Sequence, residues 1–181
     1  MTFTDNHDFR DAGQFISNDP ILAYAYILTN NQVGLPCVFY KDYINRGLKS
    51  AIDSLMQIHK SHIFGATGRD YLSRFSTPYN QSFSSGYANT TLFYQLMGTT
   101  SGRDLLVAVN FAGDTLKVNH GINMSAVSNG DVFVDLLGHA DETIMRVNSN
   151  NVEFALPPRS YTVWSSGLLL KSKIYLQGPF D

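Results

Sequence analysis

The run "LPCVFY", residues 35–40, constrains this chain more than any other segment. It is a short, almost unbroken apolar stretch between Gly34 and Lys41, and it reads as a strand buried on both faces. Upstream, "TFT" (2–4) is strand-like. Asp19-Pro20 then opens a helix, with Asp as the cap and Pro pre-shaped for the first turn, and "ILAYAYILTNN" carries it to Asn30-Asn31. Downstream, Leu48, Ala51, Ile52, Leu55 and Met56 put one apolar stripe on a helix. Strand, helix, strand, helix with short connections implies parallel strands joined by right-handed crossovers. A doubly covered parallel sheet of two strands cannot stand alone. The expectation is therefore that further strands lie upstream of Met1, and that residues 1–65 are the C-terminal part of a larger α/β domain.

From about Asp70 no helical period survives. "YLSRF", "TLFYQLM", "DLLVAVNF", "TLKVNH", "VFVDLLG", "TIMRVN", "VEFALP" and "SYTVWSS" follow one another, separated by Gly, Asn, Asp, Ser and Pro clusters. "TLKVNH" and "SYTVWSS" alternate, which predicts one buried and one wet face, and Gly113-Asp114 and Asn150-Asn151 read as hairpin turns. Residues 66–166 are expected to form an antiparallel β-sandwich, the more autonomous half of the chain. Residues 167–181 read as a linker or the start of a further β-module.

Composition excludes several classes. With 44% hydrophobic and 15% charged residues in 181, the chain has material for a core and is not disordered. A net charge of −2 without a basic stripe argues against nucleic acid. No apolar run reaches membrane-spanning length, and the polar, acidic N-terminus lacks the features of a signal peptide. Cys37, the single cysteine, excludes an internal disulfide and reads as a small buried hydrophobe.

"FTDNHD" (3–8) crowds two aspartates, an asparagine and a histidine into the turn behind the first strand. Taken alone it reads as an Asx-rich turn. Together with "GLPCVFYKDY" (34–43), one helix further on, it resembles the α-amylase family of glycoside hydrolases, and the all-β region after the last helix resembles that family's C-terminal domain C. The resemblance implies the last two β/α units of a (β/α)8 TIM barrel followed by an antiparallel β-sandwich, and action on α-1,4-glucans such as starch or maltodextrin. By position, Asp8 falls on the carboxylate that is neither nucleophile nor proton donor but stabilises the oxocarbenium-like transition state, and His7 falls on a substrate-contacting histidine. Asn6 and Asp5 shape the turn. Arg10 is placed either on sugar or in an ion pair with Asp11, and Lys41 follows the eighth strand at the rim.

The resemblance also implies a truncated enzyme. The nucleophile and general acid belong to earlier strands, and Asp131, Asp135, Asp141, Glu142 and Glu153 all fall in the sandwich, where none can replace them. The chain alone is expected to be inactive, partnered by α-glucan and by a missing N-terminal barrel portion, with no cofactor or metal of its own. Calcium and secretion are implied for the intact family enzyme. The alternative is a non-catalytic β-sandwich that binds carbohydrate or a partner. His59 and His62, three apart at a helix end, read as surface or helix-dipole residues ahead of a metal pair. His120 and His139 fall in turns. The aromatic group from Tyr79 to Tyr94, and Trp164, read as packing ahead of sugar platforms.

Overall fold

The computed structural model describes residues 1–6, 8, 13, 15–72, 81–83, 90–99 and 101–167. Strand β1 (Thr2–Phe3) pairs in parallel with β2 (Pro36–Cys37), Thr2 opposite Pro36 and Phe3 opposite Cys37. Helix α1 (Pro20–Thr29) lies between them in sequence. Gly34, at φ +87°, turns the chain into β2, and the Thr2 N–H bonds the Leu35 carbonyl. The parallel pairing predicted from the pattern is present. Burial on both faces of residues 35–40 is not: Leu35 and Tyr40 are 69% and 71% exposed. The strand has one neighbour among the described residues, and Tyr40 already begins α2 (Tyr40–Ile44).

Helix α3 (Lys49–Ile58) buries Ile52, Leu55 and Ile58, leaves Met56 at the edge of its stripe, and runs on into a π-helical turn, His59–Ile63. Pro20 occupies the first turn of α1 as expected, but Asp19 does not cap it. Asp19 takes a left-handed backbone (φ 46°) and its carboxylate meets Arg159 at 3.3 Å instead.

The rest is antiparallel sheet. Strands β3 (Gly68–Tyr71), β5 (Thr91–Met97), β6 (Leu105–Asn110), β8 (Val132–Asp135), β9 (Ile144–Arg146) and β11 (Ser160–Gly167) form one sheet, in the order β3-β5-β6-β11-β8-β9. Strands β4 (Gln81–Phe83), β7 (Leu116–Gly121) and β10 (Asn151–Leu156) form a second, in the order β10-β7-β4. Leu116, Val118, Val152, Phe154 and Leu156 of the smaller sheet share one core with Phe93, Leu106, Ala108, Phe133 and Trp164 of the larger. Most of "YLSRF" and all of 168–181 lie outside the described residues.

Two turn predictions need correction. Gly113-Asp114 joins strands of different sheets, β6 and β7, so it is a crossover and not a hairpin. Asn110 fastens it: its buried side-chain amide donates to the carbonyls of Asp114 (2.8 Å) and Pro157 (2.9 Å), while its Oδ1 accepts the Ala112 N–H. The second tight turn sits one residue earlier than expected, with Ser149 and Asn150 at positive φ between the bridged Asn148 and Asn151.

The alternation of β7 is real: Leu116, Val118 and His120 are buried, and Lys117 and Asn119 exposed. That of β11 is not. Residues Tyr161 to Ser165 are all buried, because helices cover the face opposite the smaller sheet. Val109 and Tyr161 pack with Leu22, Ile27, Ile52 and Leu55, and Tyr94, Leu96, Leu105, Val107 and Val163 pack with Ile58 and Ile63. This explains why α1 is apolar nearly all round: it is buried between α3 and the large sheet.

Candidate active site

The site grows from the carboxyl ends of the two parallel strands. β1 runs into Thr4, Asp5 and Asn6. The Asn6 N–H donates to Asp5 Oδ1 (2.9 Å), and Asn6 Oδ1 accepts the Asp8 N–H (2.7 Å). This is an Asx turn, and it gives Asp5 and Asn6 the turn-shaping part expected of them. Asp8 is exposed at its far side. Asp5, Asn6 and Asp8 line one wall of an open pocket of about 290 Å³, and Cys37, Val38 and Phe39, at the end of β2, line the other, with Met1 and Phe3 beside them. Side chains at the carboxyl ends of adjacent parallel strands thus converge on one concavity.

Behind the turn lies a polar network that the sequence reading missed. Asp42, on α2, and Asp5 are almost fully buried. The Tyr24 hydroxyl donates to Asp42 Oδ2 (2.8 Å) and accepts the Phe39 N–H (3.2 Å), tying α1 to the end of β2. Burial, reinforced by the adjacent Asp42 carboxylate, pushes the Tyr24 phenol above its ordinary pKa. The Arg46 guanidinium stands 3.1 Å from Asp42 Oδ1 and 3.8 Å from Asp5 Oδ2, and donates to the Ile16 carbonyl at 2.8 Å. The signal available in sequence was a Tyr, an Asp and an Arg in elements flanking the motif, each too common to stand out.

Of the predicted site residues, Asp8 is at the pocket. His7 and Arg10 lie outside the described residues. Lys41 is exposed in the first turn of α2 and is not among the residues lining the pocket. Cys37 is half-buried at the pocket wall, not enclosed in a core.

His59 and His139 have local partners. His59 Nδ1 lies 2.7 Å from the Leu28 carbonyl oxygen, and His139 Nδ1 lies 2.9 Å from that of Tyr161. His120 lies in strand β7, not in a turn, fully buried with its ring edge-on to Phe93. Burial lowers the pKa of His120; burial and the Arg103 charge lower that of His62. Asp135 accepts the amides of Leu137, His139 and Ala140 (2.8–2.9 Å). Asp131 and Asp141 accept those of Ser128 and Ala155. No group of three or more His, Cys, Asp or Glu among the described residues could hold a metal ion. No helix among them is long and apolar enough to cross a membrane.

Comparison with known proteins returns alpha-amylases. The chain is 31% identical over 179 residues to an alpha-amylase of Geobacillus stearothermophilus, covering 91% of this chain and 29% of that protein. It is 37% identical over 65 residues to the alpha-amylase type B isozyme of Hordeum vulgare, covering 34% of this chain and 41% of that one. Among solved structures, an Anoxybacillus alpha-amylase matches with a TM-score of 0.61 at 14% identity, over 91% of this chain and 37% of its own. The alpha-amylase of Geobacillus thermoleovorans, solved with acarbose, matches with a TM-score of 0.64 at 12% identity, over 92% and 38%. No protein-family model matches the chain. The chain fits the α-amylase family, spanning well under half the length of each of these relatives.

Proposed function

We propose that this chain is the C-terminal part of an α-amylase-type retaining glycoside hydrolase acting on α-1,4-glucans. Residues 1–65 supply the last two β/α units of a (β/α)8 barrel, and residues 66–166 a β-sandwich domain C. Asp8 is the carboxylate that stabilises the transition state, with His7, Arg10 and Lys41 as substrate contacts. The observation that carries this reading is the placement of the Asp8 turn at the carboxyl end of β1, opposite the carboxyl end of the parallel β2, in one pocket. Cleavage builds positive charge on the sugar ring, and a fixed anion beside it lowers the energy of that state more than that of the ground state. The nucleophile and general acid come from the remainder of the barrel, which also covers the apolar Met1, Phe3 and Leu35. The parent enzyme is secreted.

The test is Asp8→Asn in the longer protein that carries this segment. It lowers kcat on soluble α-1,4-glucan on the order of 10²–10³-fold, the loss that follows removal of one fixed electrostatic group. The fold, read by circular dichroism, stays intact. Near-normal turnover overturns the role of Asp8. Glucan hydrolysis by the purified 181-residue chain, lost in Asp8→Asn, overturns the reading of a partial enzyme.

A further inference from the structure

We propose that Arg46 is a positioning residue for the Asp8 turn: from behind the pocket it fixes, through Asp5 and Asn6, where the Asp8 backbone stands. Its anchors come from three separate segments. Asp5 follows β1, Asp42 belongs to α2, and the Ile16 carbonyl lies in the stretch leading to α1; the Phe15 ring lies 5.7 Å under the guanidinium. The arginine is itself held in place, because just past the end of α2 its backbone N–H bonds the Lys41 carbonyl. Asp5 and Asp42 are 4% and 1% exposed, two like charges removed from water, and Arg46 is the described cation paired with both. A planar guanidinium can serve several acceptors in fixed directions at once, whereas a lysine ammonium is a single point charge on a flexible stem.

From Arg46 the order passes down a short relay. The ion pair holds the Asp5 carboxylate. Its other oxygen takes the Asn6 N–H at 2.9 Å, and the Asn6 side chain takes the Asp8 N–H at 2.7 Å. If Asp5 swings away, the Asn6 amide loses its acceptor and the Asx turn loses its frame. The direction in which Asp8 faces the pocket is thus set by a charge that does not line the pocket. The catalytic meaning of this relay rests on the role proposed for Asp8; the positional claim does not.

The experiment uses amide exchange measured by NMR on the full 181-residue chain and its Arg46→Met, Arg46→Lys, Asp5→Asn and Arg46→Met/Asp5→Asn variants. In Arg46→Met the Asn6 and Asp8 amides exchange about fivefold faster or more, the equivalent of one hydrogen bond's net contribution, while Val107 and Val163 in the large sheet keep their rates. Arg46→Lys recovers part of the loss. Asp5→Asn reproduces it, and the double variant adds nothing beyond the larger single effect, because both act on one relay. In the longer protein, Arg46→Met lowers kcat on α-1,4-glucan with little change in KM. Unchanged Asn6 and Asp8 rates in both Arg46→Met and Asp5→Asn overturn the proposal, as does acceleration spread equally over the sheet, or full additivity in the double variant. If the relay responds as stated while the unaltered longer protein shows no glucan hydrolysis, the positioning role stands and the proposed reaction falls.

Discussion

Excising the sheet region, residues 66–167, from the helices before it tests which surfaces hold this fold together. The pattern of short strands suggested that this half would be the more self-sufficient. The packing argues the reverse. Tyr94, Leu96, Leu105, Val107, Val109, Tyr161 and Val163 are buried, and in the two clusters that contain them the partners from the first half are α1, α3 and the π-helical turn. Exposing a buried side chain of this size costs about 1.5–3 kcal/mol, so baring seven costs on the order of 10–20 kcal/mol, an upper figure because a denatured chain already hides part of its surface. Excision also removes Thr29, whose hydroxyl lies 2.5 Å from the buried Tyr94 hydroxyl. The whole stability of a domain is about 5–15 kcal/mol. The excised piece should therefore lack a cooperative urea transition, bind a hydrophobic dye and associate, while residues 1–167 unfold cooperatively. A monomeric 66–167 with a sharp transition and protected β6 amides would refute the reasoning and show that the second core, between the two sheets, suffices.

Further outcomes follow from single sites. Tyr24→Phe removes a hydrogen bond to the buried Asp42 and leaves the Phe39 N–H without the acceptor it has now, so it should cost about 1.5–3 kcal/mol in urea unfolding; a change below about 0.5 kcal/mol would mean that the network is not closed. Gly98→Ala should destabilise by more than about 1 kcal/mol, since residue 98 sits at φ +65° and an added Cβ would meet Thr67 Oγ1 at 2.2 Å. Stability should fall as pH drops from about 7.5 to 5.5. His62 and His120 have folded-state pKa values below the unfolded value, so the unfolded chain takes up protons first, and stability present above the unfolded pKa is lost as pH falls toward the folded one. His120→Gln should flatten that slope. Asp104, whose carboxyl burial raises, acts in the opposite sense.

Much of this fold was legible because local chemistry agreed with it. Pro20 starts α1, Gly34 sits where a positive φ is needed, and the two-residue alternation of "TLKVNH" matches a strand with one face in solvent. The misreadings share a cause: each depended on what a second element would do. "SYTVWSS" alternates in polarity, yet Thr162 and Ser165 are buried as thoroughly as Val163, because β11 lies between β6 and β8 with helices over one face. Asp19 was a sound cap in sequence, but its carboxylate is occupied by Arg159, 140 residues away. Gly113-Asp114 has hairpin chemistry and still carries the chain from one sheet to the other, since Asn110 and the carbonyls around Pro157 decide where it goes.

The site divides along the same line. Asp8 was legible as a candidate because the residues that single it out, "FTDNHD", are contiguous and follow a strand. Arg46, Asp42 and Tyr24 were not, because what joins them is distance in space: Tyr24 and Asp42 lie 18 positions apart and still meet at 2.8 Å. The arrangement has a physical logic. A carboxylate that serves a cationic transition state must be held in a fixed direction toward the substrate. Its orientation is then best supplied from behind, by backbone bonds to neighbours that carry the ion pairs themselves. Asp5 and Asp42 are paired with Arg46 in the buried layer, and the Asx turn passes the order forward to Asp8 at the pocket. Putting a lysine at Asn6 would test that division of labour: Asn6→Lys places a cation beside Asp8 and deletes the Asx acceptor together. It should lower kcat in the longer protein more than Asn6→Ala, which deletes the acceptor alone. Equal losses in the two variants would mean that geometry, and not the charge around Asp8, is what the turn sets.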